Sequence, residues 1–373
     1  MSAHETPALI GVSFYPMIRY KLFLGLAISL SVSVLVFGQD VSSSKPGAVA
    51  EASAKPTLAD AQAKLDRGEV DEALADLRSL QATDPGTEGL DRALGIALFR
   101  KANFAGAAPE LKKVTDRNPE DKEAIQLLGL SYYYMGRTKD AIPLLERVHS
   151  WFPVANVDAA YLLGISYVRT SDYEKARKAF AEMYDVAPDS AASHLILARM
   201  LLREGYDPIA EQELLKAAEM DPKLPGVHLF LGELYTYKSQ IDKGIAELET
   251  ELKVDPVNAE ALYKLADAYT HVQKWDEAQR LLQRSIWLDS TSTGPFVLMA
   301  KVLLKKNEAL LASRAALKAI SMDANNYYAH FLLGQAYLKL GKKTEADAEM
   351  KLSQEIQARQ THSGEELKAR KSQ

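Results

Sequence analysis

The chain of 373 residues contains no cysteine. That excludes disulfides, thiolate metal sites, a cysteine nucleophile and lipid attachment through sulfur. Charge of either sign is in short supply as an excess: the formal net charge is -5, which argues against a general nucleic-acid binder. Catalytic patterns are missing too. There is no HExxH, no phosphate-cradling glycine loop and no GxSxG elbow. A long hydrophobic run appears at Leu22–Phe37. As a helix it would reach only ~24 Å, short of the ~30 Å bilayer core.

Arg19 and Lys21 precede that run, Met17 offers a second start, and Val36-Phe37-Gly38 suits a signal peptidase. Residues 1–38 are therefore expected to be a cleaved secretory signal, with Gln39 first in the mature chain. Retention as a membrane anchor is the alternative, and either way the remainder is exported. Residues 39–55, rich in serine, alanine, proline and glycine, read as a flexible linker.

Beyond the linker the chain is periodic. Prolines stand at Pro85, Pro119, Pro153, Pro188, Pro222 and Pro256, separated by 34, 34, 35, 34 and 34 residues, and Asp289-Ser290 and Asp323-Ala324 continue the series. Small residues recur at Ala61, Gly95, Gly129, Gly164, Ala198, Gly232, Ala266, Ala300 and Gly334, and again at Ala73, Ala107, Ala141, Ala176, Ala210, Gly244, Ala278, Ala312 and Ala346. A position that never accepts bulk is one where two helices approach closely. Within Lys122–Pro153, Ile125, Leu128, Gly129 and Tyr132 share one helical face, Gly136 stops that helix, and Ala141, Leu144, Leu145 and Val148 form a second stripe. Such a hairpin cannot bury its apolar faces alone, so it needs neighbours.

This pattern, with leucine, glycine and tyrosine in the first helix and alanine in the second, resembles the tetratricopeptide repeat. The resemblance covers residues 54–360 in nine units, starting near Ala54, Glu88, Lys122, Val157, Ala191, Pro225, Ala259, Thr293 and Tyr327, with 361–373 as a charged tail. It implies an all-α, right-handed superhelical solenoid. The first unit departs most, carrying Asp60 and Lys64 where the family has large apolar residues. Pro208 falls in a first helical turn, whereas Pro109 and Pro143 lie deeper and are expected to bend or shorten their helices.

Three histidines, His194, His228 and His330, occupy one slot of different units. Ligands on separate repeats stand about 10 Å apart, whereas zinc gathers its ligands within about 2 Å. They are expected to be half-buried, hydrogen-bonded packing residues, and no metal or cofactor is implied. Tyr132, Tyr167, Tyr235, Tyr269 and Tyr337 likewise fill a packing slot, and carboxylates such as Glu247, Glu249 and Glu251 read as a solvated helix face.

In the resemblance, the second, fifth, ninth, twelfth and thirteenth residues of each first helix face a concave groove. Carried over, these slots hold Arg92, Phe99, Arg100, Glu123, Tyr133, Tyr134, Tyr161, Val168, Arg169, Leu195, Arg199, Arg203, Glu233, Tyr237, Glu260, Tyr263, Asp267, His271, Lys301, Lys305, Tyr328, Phe331 and Lys339. The family's lysine–asparagine clamp for chaperone tails is not reproduced. Arginines beside aromatics suit protein recognition. The expectation is a non-enzymatic scaffold that binds peptide segments or partner helices outside the cytoplasmic membrane. Its binding residues would be Tyr133, Tyr134, Tyr161, Arg169, Arg199, Arg203, Glu233, Tyr237, Tyr263 and Asp267. A membrane-anchored assembly factor for secretion, polysaccharide or envelope machinery is the alternative, with membrane contact only if Leu22–Phe37 is retained.

Overall fold

Nine αL residues mark the joints of the fold. Gly68, Ala102, Gly136, Ser171, Gly205, Ser239, Gln273, Asn307 and Gly341 all have positive φ, from 56° upward, one in each turn between a first and a second helix. At Gly136 (φ 74°) the turn closes with Arg137 N–H donating to the Tyr132 carbonyl at 2.8 Å, which satisfies an orphan helix-end acceptor.

The computed structural model describes residues 56–151 and 157–371. The expected signal at 1–38, all of the linker at 39–55, and Pro153 lie outside the described residues. Among the described residues there are eighteen helices and no strands, and these helices form one compact unit. The first helices of the nine hairpins are α1 (Leu58–Asp66), α3 (Leu90–Arg100), α5 (Lys122–Tyr134), α7 (Val157–Arg169), α9 (Ala191–Glu204), α11 (Val227–Tyr237), α13 (Ala259–His271), α15 (Thr293–Lys305) and α17 (Tyr327–Lys339). Their partners are α2 (Val70–Thr83), α4 (Phe104–Arg117), α6 (Thr138–Trp151), α8 (Tyr173–Met183), α10 (Asp207–Met220), α12 (Ile241–Val254), α14 (Trp275–Leu288), α16 (Ala309–Met322) and α18 (Lys343–Lys371). The architecture is an all-α helical-hairpin solenoid.

Local chemistry starts these helices where the repeat requires. Asp121, Asn258 and Asn326 each accept from the backbone N–H three residues on, at 3.0 Å, as N-caps do. In α11 the N-cap is Gly226, which has no side chain to offer. There the wholly buried Glu251 of α12 accepts from the Gly226 and Leu229 amides at 2.8 and 3.2 Å instead. Exposed amide ends are thus covered from within the same hairpin, so the carboxylate is not on a solvated face as expected.

Both small-residue series lie in the seam between paired helices. Ala61, Ala176, Ala198, Ala210 and Ala266 are 0% exposed. A Cβ added to Gly164 would stand 2.5 Å from Phe180, and one on Gly232 would stand 2.5 Å from Leu248. Glycine is there because the partner side chain already fills that volume.

Two expectations change. Pro109 and Pro143 sit inside α4 and α6, yet these helices run 14 residues, the length of α10, α12, α14 and α16, so neither is shortened. The last hairpin does not end near residue 360, because α18 continues as a 29-residue helix through most of the charged tail.

Successive first helices touch one another: α3 meets α5, α11 meets α13, α13 meets α15, and α15 meets α17. First helices therefore line the inner side of the stack, and the variable slots project from them.

Candidate functional site: the first-helix groove

Two adjacent slots separate buried from open. The thirteenth residue of a unit is exposed in every case: Asp66, Arg100, Tyr134, Arg169, Arg203, Tyr237, His271, Lys305 and Lys339. Its predecessor turns inward between hairpins, except in the last unit, where Leu338 is 46% exposed. Val168 is 0% exposed, in the same core cluster as Leu197 and Leu201 of the next unit, so it is not a groove residue. Tyr133 and Phe99 hold this twelfth slot too, and both are only half-buried. A one-residue step rotates a helical side chain by about 100°, which accounts for the contrast.

Aromatic rings bridge the second and third hairpins. Phe104 lies edge-on to Phe99 (centroids 5.4 Å) and stacks on Tyr134 (4.6 Å, 22°), which meets Tyr133 edge-on at 5.5 Å. Beyond them the three expected arginines each lie over a ring of a neighbouring hairpin. The Arg169 guanidinium is 5.0 Å from the Tyr133 centroid, Arg203 is 5.1 Å from Tyr161, and Arg199 is 5.4 Å from Phe230. Arg199 and Arg203 are one turn apart on α9 and reach in opposite directions, forward to α11 and back to α7. All three remain exposed. Stacking occupies a guanidinium's face and leaves its edge donors pointing outward. Arg169 also lies 3.6 Å from Glu204, while Arg203 forms no ion pair among the described residues. Burial raises the Tyr133 hydroxyl above its ordinary pKa despite Arg169 nearby, so the ring stays neutral under its cation.

The acidic stretch is less acidic than its groove slots imply. Glu233 forms an ion pair with Lys264. Glu260 lies nearby, and loss of hydration against the groove wall, with Glu233 second, raises its carboxyl above the usual range. Asp267 is 4.0 Å from His271. Tyr263 is raised by burial, and its hydroxyl would stand 3.0 Å from a Cβ on Gly294, so its ring is wedged against the start of α15. Tyr237 is 80% exposed. The expected residues therefore form two groups, Tyr133, Tyr134, Tyr161, Arg169, Arg199 and Arg203, then Glu233, Glu260, Tyr263 and Asp267, with Tyr237 standing apart. At one end, Arg92 is tied to Asp121 (3.0 Å) and Glu123, so those charges are already matched.

Phe104, Phe230, Lys264 and Glu204 were not anticipated. Phe230 and Lys264 share the sixth slot, which holds Ala93, Leu127, Leu162, Ile196, Leu298 and Leu332 elsewhere. One charge in an otherwise apolar slot was the available signal. Glu204 follows the thirteenth slot, where the family pattern assigns no direction.

The histidine slot is structural. His194, His228 and His330 place Nδ1 at 2.5, 2.7 and 2.6 Å from Glu213, Glu247 and Glu349, each nineteen residues on in the partner helix. Among the described residues no three histidine or carboxylate side chains gather as a metal set. Tyr132, Tyr167 and Tyr235 are buried packing residues.

Profiles of the tetratricopeptide repeat match residues 58–122, 92–149 and 161–225, with further profiles of that repeat matching 315–348 and 261–295. Among curated proteins, the chain is 21% identical over 262 residues to Anaphase-promoting complex subunit 3 of Schizosaccharomyces pombe, covering 69% of this chain and 33% of that protein. It is 27% identical over 156 residues to Peroxisome biogenesis protein 5 of Arabidopsis thaliana, covering 42% of this chain and 21% of that protein. It thus spans a third or less of the length of either. Among solved structures, MamA is similar with a TM-score of 0.41 and 24% identity over 44% of this chain and 96% of that one. The pilF protein of Pseudomonas aeruginosa has a TM-score of 0.44 and 19% identity over 54% and 97%. The repeat profiles together span more than half of the 373 residues, and the chain belongs to the tetratricopeptide repeat family.

Proposed function

We propose that this chain is a non-enzymatic protein-binding scaffold, and that its first-helix groove takes an extended segment of a partner protein. One observation carries the reading: arginines of successive hairpins are held over rings of their neighbours while staying exposed. Rigid aromatics with preoriented guanidinium edges lose little side-chain entropy when a partner docks. Acid–base chemistry would need titratable groups converging on one substrate atom. Here Arg92, Glu233 and the three slot histidines each already have a partner.

The scaffold is proposed to work outside the cytoplasmic membrane, on the strength of Leu22–Phe37 behind Arg19 and Lys21. N-terminal sequencing of the mature protein should begin at Gln39. Recovery of Met1 or Met17 from a membrane fraction favours the anchored assembly-factor reading. For the groove, crosslinked partners of the full chain are identified by mass spectrometry, with Tyr134→Ser/Tyr237→Ser in parallel. Partners lost only in the variant support the groove. An identical partner set with both tyrosines removed overturns it.

A further inference from the structure

The outer face of the seventh and eighth hairpins departs from the rest of the array. The slots two and six residues after the recurring small residue are both cationic only in these two second helices: Arg280 and Arg284 on α14, Arg314 and Lys318 on α16. All four are exposed. Seven of the nine second helices carry a carboxylate in the first turn, where the helix dipole favours one. By contrast α16 opens with Leu310 and Leu311 and contains no carboxylate at all. Leu310, Leu311 and Leu317 are 55, 45 and 46% exposed. Trp287, two turns beyond Arg280 on the same face of α14, is 83% exposed. Of the carboxylates on α14, Asp276 is ion-paired with Lys306 at 2.6 Å, which with Arg280 holds it below the usual range, and Glu277 is half-buried. Asp289 and Asp323, which end the two helices, accept from the Thr291 and Asn325 amides of their own turns at 2.8 and 3.0 Å. Arg284 donates to the Pro256 carbonyl at 3.1 Å, Lys318 stands over the Phe296 ring at 5.9 Å, and neither Arg280 nor Arg314 forms an ion pair among the described residues.

We infer that this outer face is a docking surface for an anionic phospholipid bilayer, on the opposite side of the hairpins from the groove and independent of any partner bound there. Charge complementarity selects the occupant. Four cations gather beside one matched carboxylate on a chain whose formal net charge is -5, so anionic headgroups repel the remainder and attract this face. The apolar groups suit the same depth. An indole rests at the level of the headgroups, and arginine and lysine stems lie along acyl chains while their charges reach the phosphates. These side chains project from two helix ridges and line no concavity. A folded partner buries a ring as open as Trp287 only in a pocket of matching shape, whereas lipid closes around whatever projects. Successive hairpins stack about 10 Å apart, so the cations of α14 and α16 meet different headgroups, and no single phosphate is the ligand.

The test uses the full chain and vesicles with brominated acyl chains, which quench an indole only on contact. One set mixes phosphatidylglycerol with phosphatidylcholine, and the other is phosphatidylcholine alone. Trp287 is one of three tryptophans, and Trp151 and Trp275 are half-buried. The mixed vesicles should therefore quench about a third of the emission, and phosphatidylcholine vesicles almost none. Trp287→Phe should abolish the quenching, which assigns it to this face even where Leu22–Phe37 also holds the chain to the vesicle. Arg280→Glu/Arg314→Glu should cut the quenched fraction about threefold or more, and 1 M salt, where the Debye length is about 3 Å, should weaken it as well. Arg78→Glu/Lys139→Glu makes the same change in net charge on the first and third hairpins and should leave the fraction nearly unchanged. Should the charge-reversed variant melt early, Leu310→Ser/Leu317→Ser removes exposed apolar contact only and should also reduce quenching. Equal quenching by phosphatidylcholine alone, quenching that survives Trp287→Phe or the charge reversal, or an equal loss in the control overturns the inference. So does an absence of quenching, and crosslinks from residue 287 to an acidic protein would then assign the face to that partner. Groove binding is read separately through Tyr134 and Tyr237, so failure here leaves the scaffold reading standing.

Discussion

The seam between paired helices and the groove a few ångströms away obey opposite rules. In the seam, space dictates identity: Gly164 faces Phe180 so closely that a single methyl has no room, and Ala176 is fully enclosed. In the groove, geometry dictates only direction. The thirteenth slot points outward in every hairpin, yet it holds aspartate, arginine, tyrosine, histidine or lysine. Folding constrains the first surface and leaves the second free. Identity in the groove therefore carries information that identity in the seam does not.

The largest expected effect breaks the seam. Phe180 is 0% exposed, and Phe180→Ala should cost about 3–5 kcal/mol through lost burial and the cavity left behind. Because repeats couple mainly to nearest neighbours, calorimetry should show the fourth and fifth hairpins melting early while the C-terminal hairpins keep their transition. Next comes overpacking. Ala176→Leu inserts bulk where none fits and should cost about 1–3 kcal/mol, read as a lowered urea midpoint. A midpoint unchanged by Ala176→Leu would show that the seam is not tightly filled there.

This contrast also explains what was legible beforehand. The period, the nine hairpins and both small series could be read because a steric requirement repeated nine times leaves a pattern no single site could. The inward turn of Val168 was missed because the family's groove slots were carried over uniformly, although the twelfth residue lies between hairpins. Lys264 and Phe230 were missed because their slot is apolar in most units, and a slot average hides the exceptions that carry function. The stacking of Arg203 on Tyr161 spans 42 residues and two hairpins, so no local pattern encodes it. The capping of α11 by Glu251 depends on the absence of a side chain at Gly226, a compensation visible only in three dimensions.

A pair of carboxylates sharpens the comparison with pH. Glu213 sits in a hairpin interior, where burial pushes its carboxyl up but Lys216 and His194 outweigh that and hold it below the usual range. A depressed folded pKa contributes stability above the unfolded pKa, and that contribution is lost as pH falls. Glu213→Gln should therefore destabilise by about 1–3 kcal/mol at neutral pH, with the difference shrinking in acid. Glu260 in the groove has the opposite sign, since its carboxyl is raised. A raised folded pKa favours the protonated form, and the benefit disappears as pH rises through it. Glu260→Gln should stabilise slightly at neutral pH, by under about 1 kcal/mol because the site is exposed, and should be neutral below the carboxylate range. Thermal melts from pH 3 to pH 7 check both signs. Two variants moving in the same direction would mean that the groove carboxylate is not held against its preference.

The smallest effect on stability is also the most telling one. Tyr235 and Tyr237 are two residues apart on α11, one 7% and the other 80% exposed. Tyr235 lies under Lys243 at 5.4 Å and is raised by burial and by Glu211, so it is fixed from both ends. A tyrosine as open as Tyr237 gains almost nothing from folding, and Tyr237→Ser should leave the unfolding free energy within about 0.5 kcal/mol of wild type. A ring kept in water by the fold itself, on the line that also holds Arg169 and Arg203, is available for a partner's apolar surface, and burying it there could contribute about 1.5–3 kcal/mol. Tyr237→Ser should thus match wild type in a melt while its crosslinked partners fall away, and Tyr235→Ser should do the reverse, destabilising the hairpin while the folded fraction still binds. If Tyr237→Ser keeps every partner, the open line of thirteenth residues is solvated wall at this hairpin, and recognition retreats to the three stacked arginines.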